Sequence, residues 1–240
     1  MDRIMTHPED EGRVQVSRSG ETVDQVLAEL SALEDPRVRE VNRRHGDDHG
    51  VNLSALRAVA KRLKIQHDLS SELWATGETA ARLLALLICR PKAFGHDELD
   101  AKLRGARVPK VHDWLVNYVV KKGPHAEQLR VEWLADPDPI VASAGWALTS
   151  ERVVKKPENL DLSGLLDSIE IGLKHAPDRL QWAMNHTLAQ IGIEHEEHRG
   201  RAIGIGERLE VLKDYPTPPN CTSPFAPIWI NEMVSRQQGV

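Results

Sequence analysis

The stretch Trp133–Leu148, WLADPDPIVASAGWAL, decides how this chain folds. Its first residues continue an apolar helical run that begins near Ala126. Asp136 and Pro137 then break that run, because proline has no backbone N–H to give and clashes with the preceding turn. Asp138 offers a carboxylate where a new helix would expose its first amides. Small residues follow, Ala142, Ser143 and Ala144, and small residues let two helices approach closely. The two indoles, Trp133 and Trp146, read as packing residues across the pair of helices so formed.

The same grammar runs outward in both directions. TVDQVLAELSAL (22–33) places Val23, Val26, Leu27, Leu30 and Leu33 on one helical stripe. NLSALRAVAKRLK (52–64) does so with Leu53, Leu56, Val59, Ala60 and Leu63, and further helices are expected over 68–76 and 78–89 before Pro91. Beyond it the pattern predicts helices over 98–103, 111–122, 126–135, 140–153, 162–175, 178–191 and 199–213. Nowhere does an alternating strand of useful length appear. Composition agrees: aromatics are 4%, with two Phe and two Tyr, while the helix formers Leu, Ala, Arg and Glu dominate. The fold class expected is all-α.

Short helices in series suggest a repeat array. Asp138, Val141 and Ala144 have the acid, apolar, small spacing of the second helix of a HEAT-type pair, and Asp178, Leu180 and Ala183 follow it more loosely. Residues 1–20 read as a polar tail, 21–213 as the helical repeat, and 214–240 as a proline-rich segment that caps the end of the array.

Charge and cysteine content bound the function. The net charge of −5 excludes a uniformly basic nucleic-acid binder, so a polyanion would have to meet a local patch. Two cysteines without metal spacing fit a reducing, cytoplasmic setting. No run is long and apolar enough to span a bilayer, so no membrane partner is expected. His195 with His198, and His45 with His49, lack a third ligand, so neither a metal nor another cofactor is expected.

HGVNLSALRAVAKRL (49–63) and HDLSSELWATGETAARLLALLICRPK (67–92) resemble bacterial alkylpurine DNA glycosylases of the AlkD type, with Ala80 where an acid often stands. EWLADPDPIVASAGWAL (132–148) and DRLQWAMNHTLAQIG (178–192) are similar to the following helix pairs of that family, and the likeness covers about 21–213. It implies a curved HEAT-like solenoid with a concave DNA-binding face. It also implies a cleft of two tryptophans, an aspartate and an arginine. In this sequence the aspartate falls on Asp113, but the tryptophans fall on Pro109 and His186, and the arginine on Ser143 or Ala142.

Excision of a cationic alkylated base needs little acid catalysis, but a nearby carboxylate can stabilise positive charge on the sugar and orient water, and Asp113 is the candidate. Asn117 shares its helical face at i+4. Ser143, Trp146, Trp182, Asn185 and His186 are the other candidates for the cleft. Between Pro36 and Lys64 stand eight cations against three acids. From these, Arg43, Arg44, Arg57 and Lys61, and later Lys121 and Lys155, are candidate contacts to DNA phosphates. The expected function is DNA binding akin to alkylation repair, with metal-independent base excision altered or lost. The alternatives are a non-catalytic binder of distorted or branched DNA, and a HEAT-type scaffold for a protein or small molecule.

Overall fold

The computed structural model describes residues 20–239; apart from Gly20, the expected N-terminal tail lies outside the described residues. Thirteen α-helices form among them, and the sole β feature there is an isolated antiparallel bridge between Glu34 and Val51. The fold is all-helical, as the periodicity predicts. No described helix is long and apolar enough to cross a membrane. The contacts divide the chain into two compact units that meet in sequence at Arg90 and Pro91.

The first unit holds α1 (Val23–Ala32), α2 (Pro36–Arg44), α3 (Leu53–Leu63), α4 (His67–Ala75) and α5 (Thr79–Ile88). Thr22 and Gln25 close a capping box at the start of α1, which satisfies two orphan donors reciprocally. Helix α5 is the hub, with Ala81, Leu83, Leu84 and Ile88 fully buried. Helix α2 escapes the periodic reading because none of its residues is buried, so it has no apolar stripe to detect. It is held instead by the Asp35 cap, by Pro36 in its first turn and by surface ion pairs.

The second unit begins with α6 (His96–Gly105) and α7 (Pro109–Trp114). After it come α8 (Ala126–Leu134), α9 (Pro139–Lys155), α10 (Leu162–Gly172), α11 (Asp178–Glu194), α12 (Glu196–Leu209) and α13 (Ala226–Gln238). Trp133 is fully buried and donates its indole N–H to Asp100 Oδ1 at 2.8 Å. Asp138 caps α9 by accepting from Ile140 N at 2.9 Å. Helices α8 and α9 touch backbone to backbone at Gly145, where an added Cβ would lie 2.6 Å from the Trp133 carbonyl carbon and 2.7 Å from Leu134 Cα. Both tryptophans of the opening stretch are therefore packing residues.

Helix α11 lies against α9, α12 and α13. Gly192 on it and Gly206 on α12 admit Ile230 and Pro227 of α13, with Cβ clearances of 2.9 Å to Ile230 Cγ1 and 2.8 Å to Pro227 Cγ. The single helix expected over 111–122 differs in detail. After Trp114 it loosens into a π-turn over Leu115–Val119 and then tightens into a 3-10 turn over Val120–Lys122. Such a π insertion often marks a functional segment.

Candidate nucleic-acid interface

Asp113 sits in α7, immediately before the π-turn, and its side chain is exposed. It does not stand alone. Arg179, at the second position of α11, reaches it with Nη2 and forms an ion pair. The same nitrogen donates to the Pro109 carbonyl at 3.3 Å and to His112 Nδ1 at 2.7 Å. His112 is buried, and its Nε2–H donates to Ile140 O at 3.1 Å, which leaves Nδ1 free to accept from the arginine. Ser143 Oγ donates to the same Ile140 oxygen at 2.6 Å. One guanidinium and one imidazole thus tie the starts of α7, α9 and α11 together.

The guanidinium beside the aspartate comes from α11, not from position 142 or 143. Ala142 and Ser143 are buried, and the Ser143 hydroxyl is used within its own helix. Arg179 carried a signal that spacing could have exposed. It stands at i, i+3 and i+7 with Trp182 and His186, on one helical face.

The aromatic side of the site is built in a similar way. Position 186 holds histidine, and an indole arrives in space from α13: His186 and Trp229 stack face to face, with ring centroids 5.3 Å apart and planes 6° from parallel. Trp182 meets Tyr215 edge to face at 5.0 Å. The imidazole keeps an exposed edge, yet desolvation by the surrounding protein, with the Lys121 ammonium nearby, holds His186 below its ordinary pKa. Asn185, expected to face a ligand, is buried; its amide donates to the Pro224 carbonyl at 2.9 Å and fastens the proline-rich segment to α11. Trp146 is buried in the core between α9 and α11. Asn117 is exposed on the π-turn.

The expected phosphate contacts fall in both units. In the first, Arg43 and Arg44 share Glu40, while Arg57 and Lys61 lie exposed on α3. Arg39 pairs with Glu34, and Arg62 with Glu21 and Glu29. Those three acids lie outside the 36–64 window, so the cationic excess counted there is largely offset in the folded unit. In the second, Lys121 and Lys155 share Glu151, at 3.0 and 2.7 Å. Burial alone would raise the Glu151 pKa, but the two ammoniums outweigh it and hold the carboxyl below its usual range.

Comparison with known proteins gives this arrangement a context. The family model for the DNA alkylation repair enzyme matches residues 26–229. An uncharacterised protein of Listeria innocua is 25% identical over 194 residues, spanning 76% of this chain and 84% of its own length. An uncharacterised protein of Listeria monocytogenes is 23% identical over 190 residues with the same coverage. A solved structure covers 90% of this chain and 95% of its own, with a TM-score of 0.73 and 24% identity. It is described as representing a new family of proteins related to the HEAT-like repeat DNA glycosylases with affinity for branched DNA structures. At that identity the likeness establishes a HEAT-like repeat fold.

Proposed function

The chain belongs to the DNA alkylation repair enzyme family, and from that premise we propose that it binds DNA, with a preference for branched or distorted forms, and does not excise bases. The observation that carries the second half is the Asp113–Arg179 ion pair. Excision of an alkylated base builds positive charge on the sugar, and a free carboxylate nearby stabilises it. A carboxylate paired with a guanidinium stabilises that charge less, and fewer of its lone pairs are available to orient water. Stacking of His186 on Trp229 acts in the same direction, because it occupies one indole face that could otherwise pack against a sugar or base.

Binding is supported by family membership and by the cations of the second unit, and the branched form by the affinity described for the solved relative. A second reading, residual excision, is favoured by the retention of Asp113 itself. Incubation with N-methylated duplex DNA, followed by chromatography of released bases, separates the two. The proposal expects no release above the uncatalysed rate from either the wild type or Asp113→Asn. Release by the wild type that disappears in Asp113→Asn would establish the second reading.

A further inference from the structure

A recess of about 380 Å³ opens in the second unit between the start of α8, the last turns of α9 and the 3-10 turn at Lys121. Five cations line it, Lys121, Arg130, Arg152, Lys155 and Lys156, against two carboxylates, Glu127 and Glu151. A third carboxylate, Glu158, stands beside Arg152, with 3.7 Å between Arg152 Nη1 and Glu158 Oε2. Cations gather at helix C-termini for the sake of the dipole, but that attraction falls off within the last turn and does not account for Arg130, in the middle of α8.

The internal pairing leaves specific groups over. Arg130 is buried and clamps Glu127 through two nitrogens, at 3.0 and 2.7 Å, so that carboxylate is largely satisfied. Glu151 is divided between Lys121 and Lys155. Arg152 donates Nη2 to the Glu158 carbonyl at 2.9 Å, and its Nε stands 3.5 Å from Glu127, but its Nη1 is buried and has no hydrogen-bond partner. Lys156 has no carboxylate partner among the described residues. A buried guanidinium N–H without an acceptor is costly unless a ligand supplies one. The acceptor that fits a fork of N–H donors flanked by ammoniums is a phosphate group, which takes both charge and paired hydrogen bonds.

We propose that this recess is a phosphate-binding site, in which the Arg152 guanidinium turns to present Nη1 to the phosphate oxygens while Lys155 and Lys156 close over them. Arg130 is a positioning residue that holds Glu127 away from the anion. The phosphate comes from a nucleic-acid backbone or from a free phosphate compound, and the test separates these sources. The nucleic-acid source rests on the function proposed above; the site itself does not.

The test uses the full chain. Anisotropy of a labelled four-way DNA junction and calorimetric titration with inorganic phosphate, at matched ionic strength, compare the wild type, Arg152→Gln/Lys156→Gln and Lys213→Gln. The last is a control outside the recess. If the double variant shifts the thermal midpoint, Lys156→Gln alone carries the comparison, since that side chain is exposed and has no carboxylate partner among the described residues. A DNA-backbone site predicts about a tenfold weaker junction affinity in the double variant, with a salt slope shallower by about 1, and no change in the control. Loss of phosphate binding with unchanged junction binding assigns the site to free phosphate. If the wild type binds no DNA but binds phosphate through Arg152 and Lys156, the DNA reading fails and the recess stands. Wild-type behaviour of the double variant in both assays, or no binding of either probe by the wild type, overturns the proposal.

Discussion

Replacing Gly145 with alanine asks whether α8 and α9 truly meet backbone to backbone. In an exposed helix interior the change is favourable, because alanine exceeds glycine in helix propensity by about 1 kcal/mol. Here the new methyl would stand 2.6 Å from the Trp133 carbonyl carbon and 2.7 Å from Leu134 Cα, with the Leu134 amide nitrogen closer still. These are main-chain atoms, so no rotamer change relieves the clash and α8 must move as a body. Trp133, fully buried and bonded to Asp100, resists that movement. Overpacking of this kind costs about 1–3 kcal/mol, and a rigid obstacle places it at the upper end. Net of propensity, the variant loses about 2 kcal/mol. For a chain of this size that lowers the thermal midpoint by roughly 4–8 °C. Gly200, inside α12, has nothing within 4 Å of a built Cβ and is the matched control: Gly200→Ala gains up to about 1 kcal/mol. Thermal unfolding followed by circular dichroism measures both. If Gly145→Ala is as stable as Gly200→Ala, the close approach of α8 and α9 is wrong.

Two further substitutions probe the α11 face. Asn185→Ala leaves the Pro224 carbonyl without its buried donor and lowers stability by about 1–3 kcal/mol. Limited proteolysis should then cut first within 214–225, and unchanged resistance there would show that the amide does not anchor the segment. His186 has a depressed pKa in the folded chain, so its stabilisation is full above the ordinary histidine value of about 6.5 and is lost as the pH falls from there through the lower folded value. The wild-type thermal midpoint should therefore drop further than that of His186→Gln between pH 7.5 and pH 5.5. An equal drop in the two proteins would remove His186 from the pH response.

The helices of the second unit were legible because their signals are local. The Asp138 cap, the proline breaks and the buried stripes of α9 and α11 are all written within a turn or two of the residues they govern. Helix α2 was not, since caps and ion pairs hold it without an apolar face. The π-turn after Asp113 was equally hidden, because no composition rule distinguishes one extra residue in a helical turn. At the candidate site the sequence picked out Asp113, Trp182 and His186, but not what covers them. Arg179 and Trp229 reach their partners across 66 and 43 positions of chain respectively, and pairing at such range follows from packing, not from spacing. The same holds for the 36–64 region, whose arginines look unopposed until Glu21, Glu29 and Glu34 are brought beside them.

The most direct measurement of the central claim is the equilibrium affinity of the full chain for a four-way DNA junction and for a linear duplex of the same arm sequence, taken across a series of salt concentrations. A DNA-binding member of this family with a cation-lined, phosphate-binding surface gives junction binding tighter than duplex binding, weakening steadily as salt rises. Absence of binding to either DNA at low salt, or an affinity indifferent to salt, would contradict it.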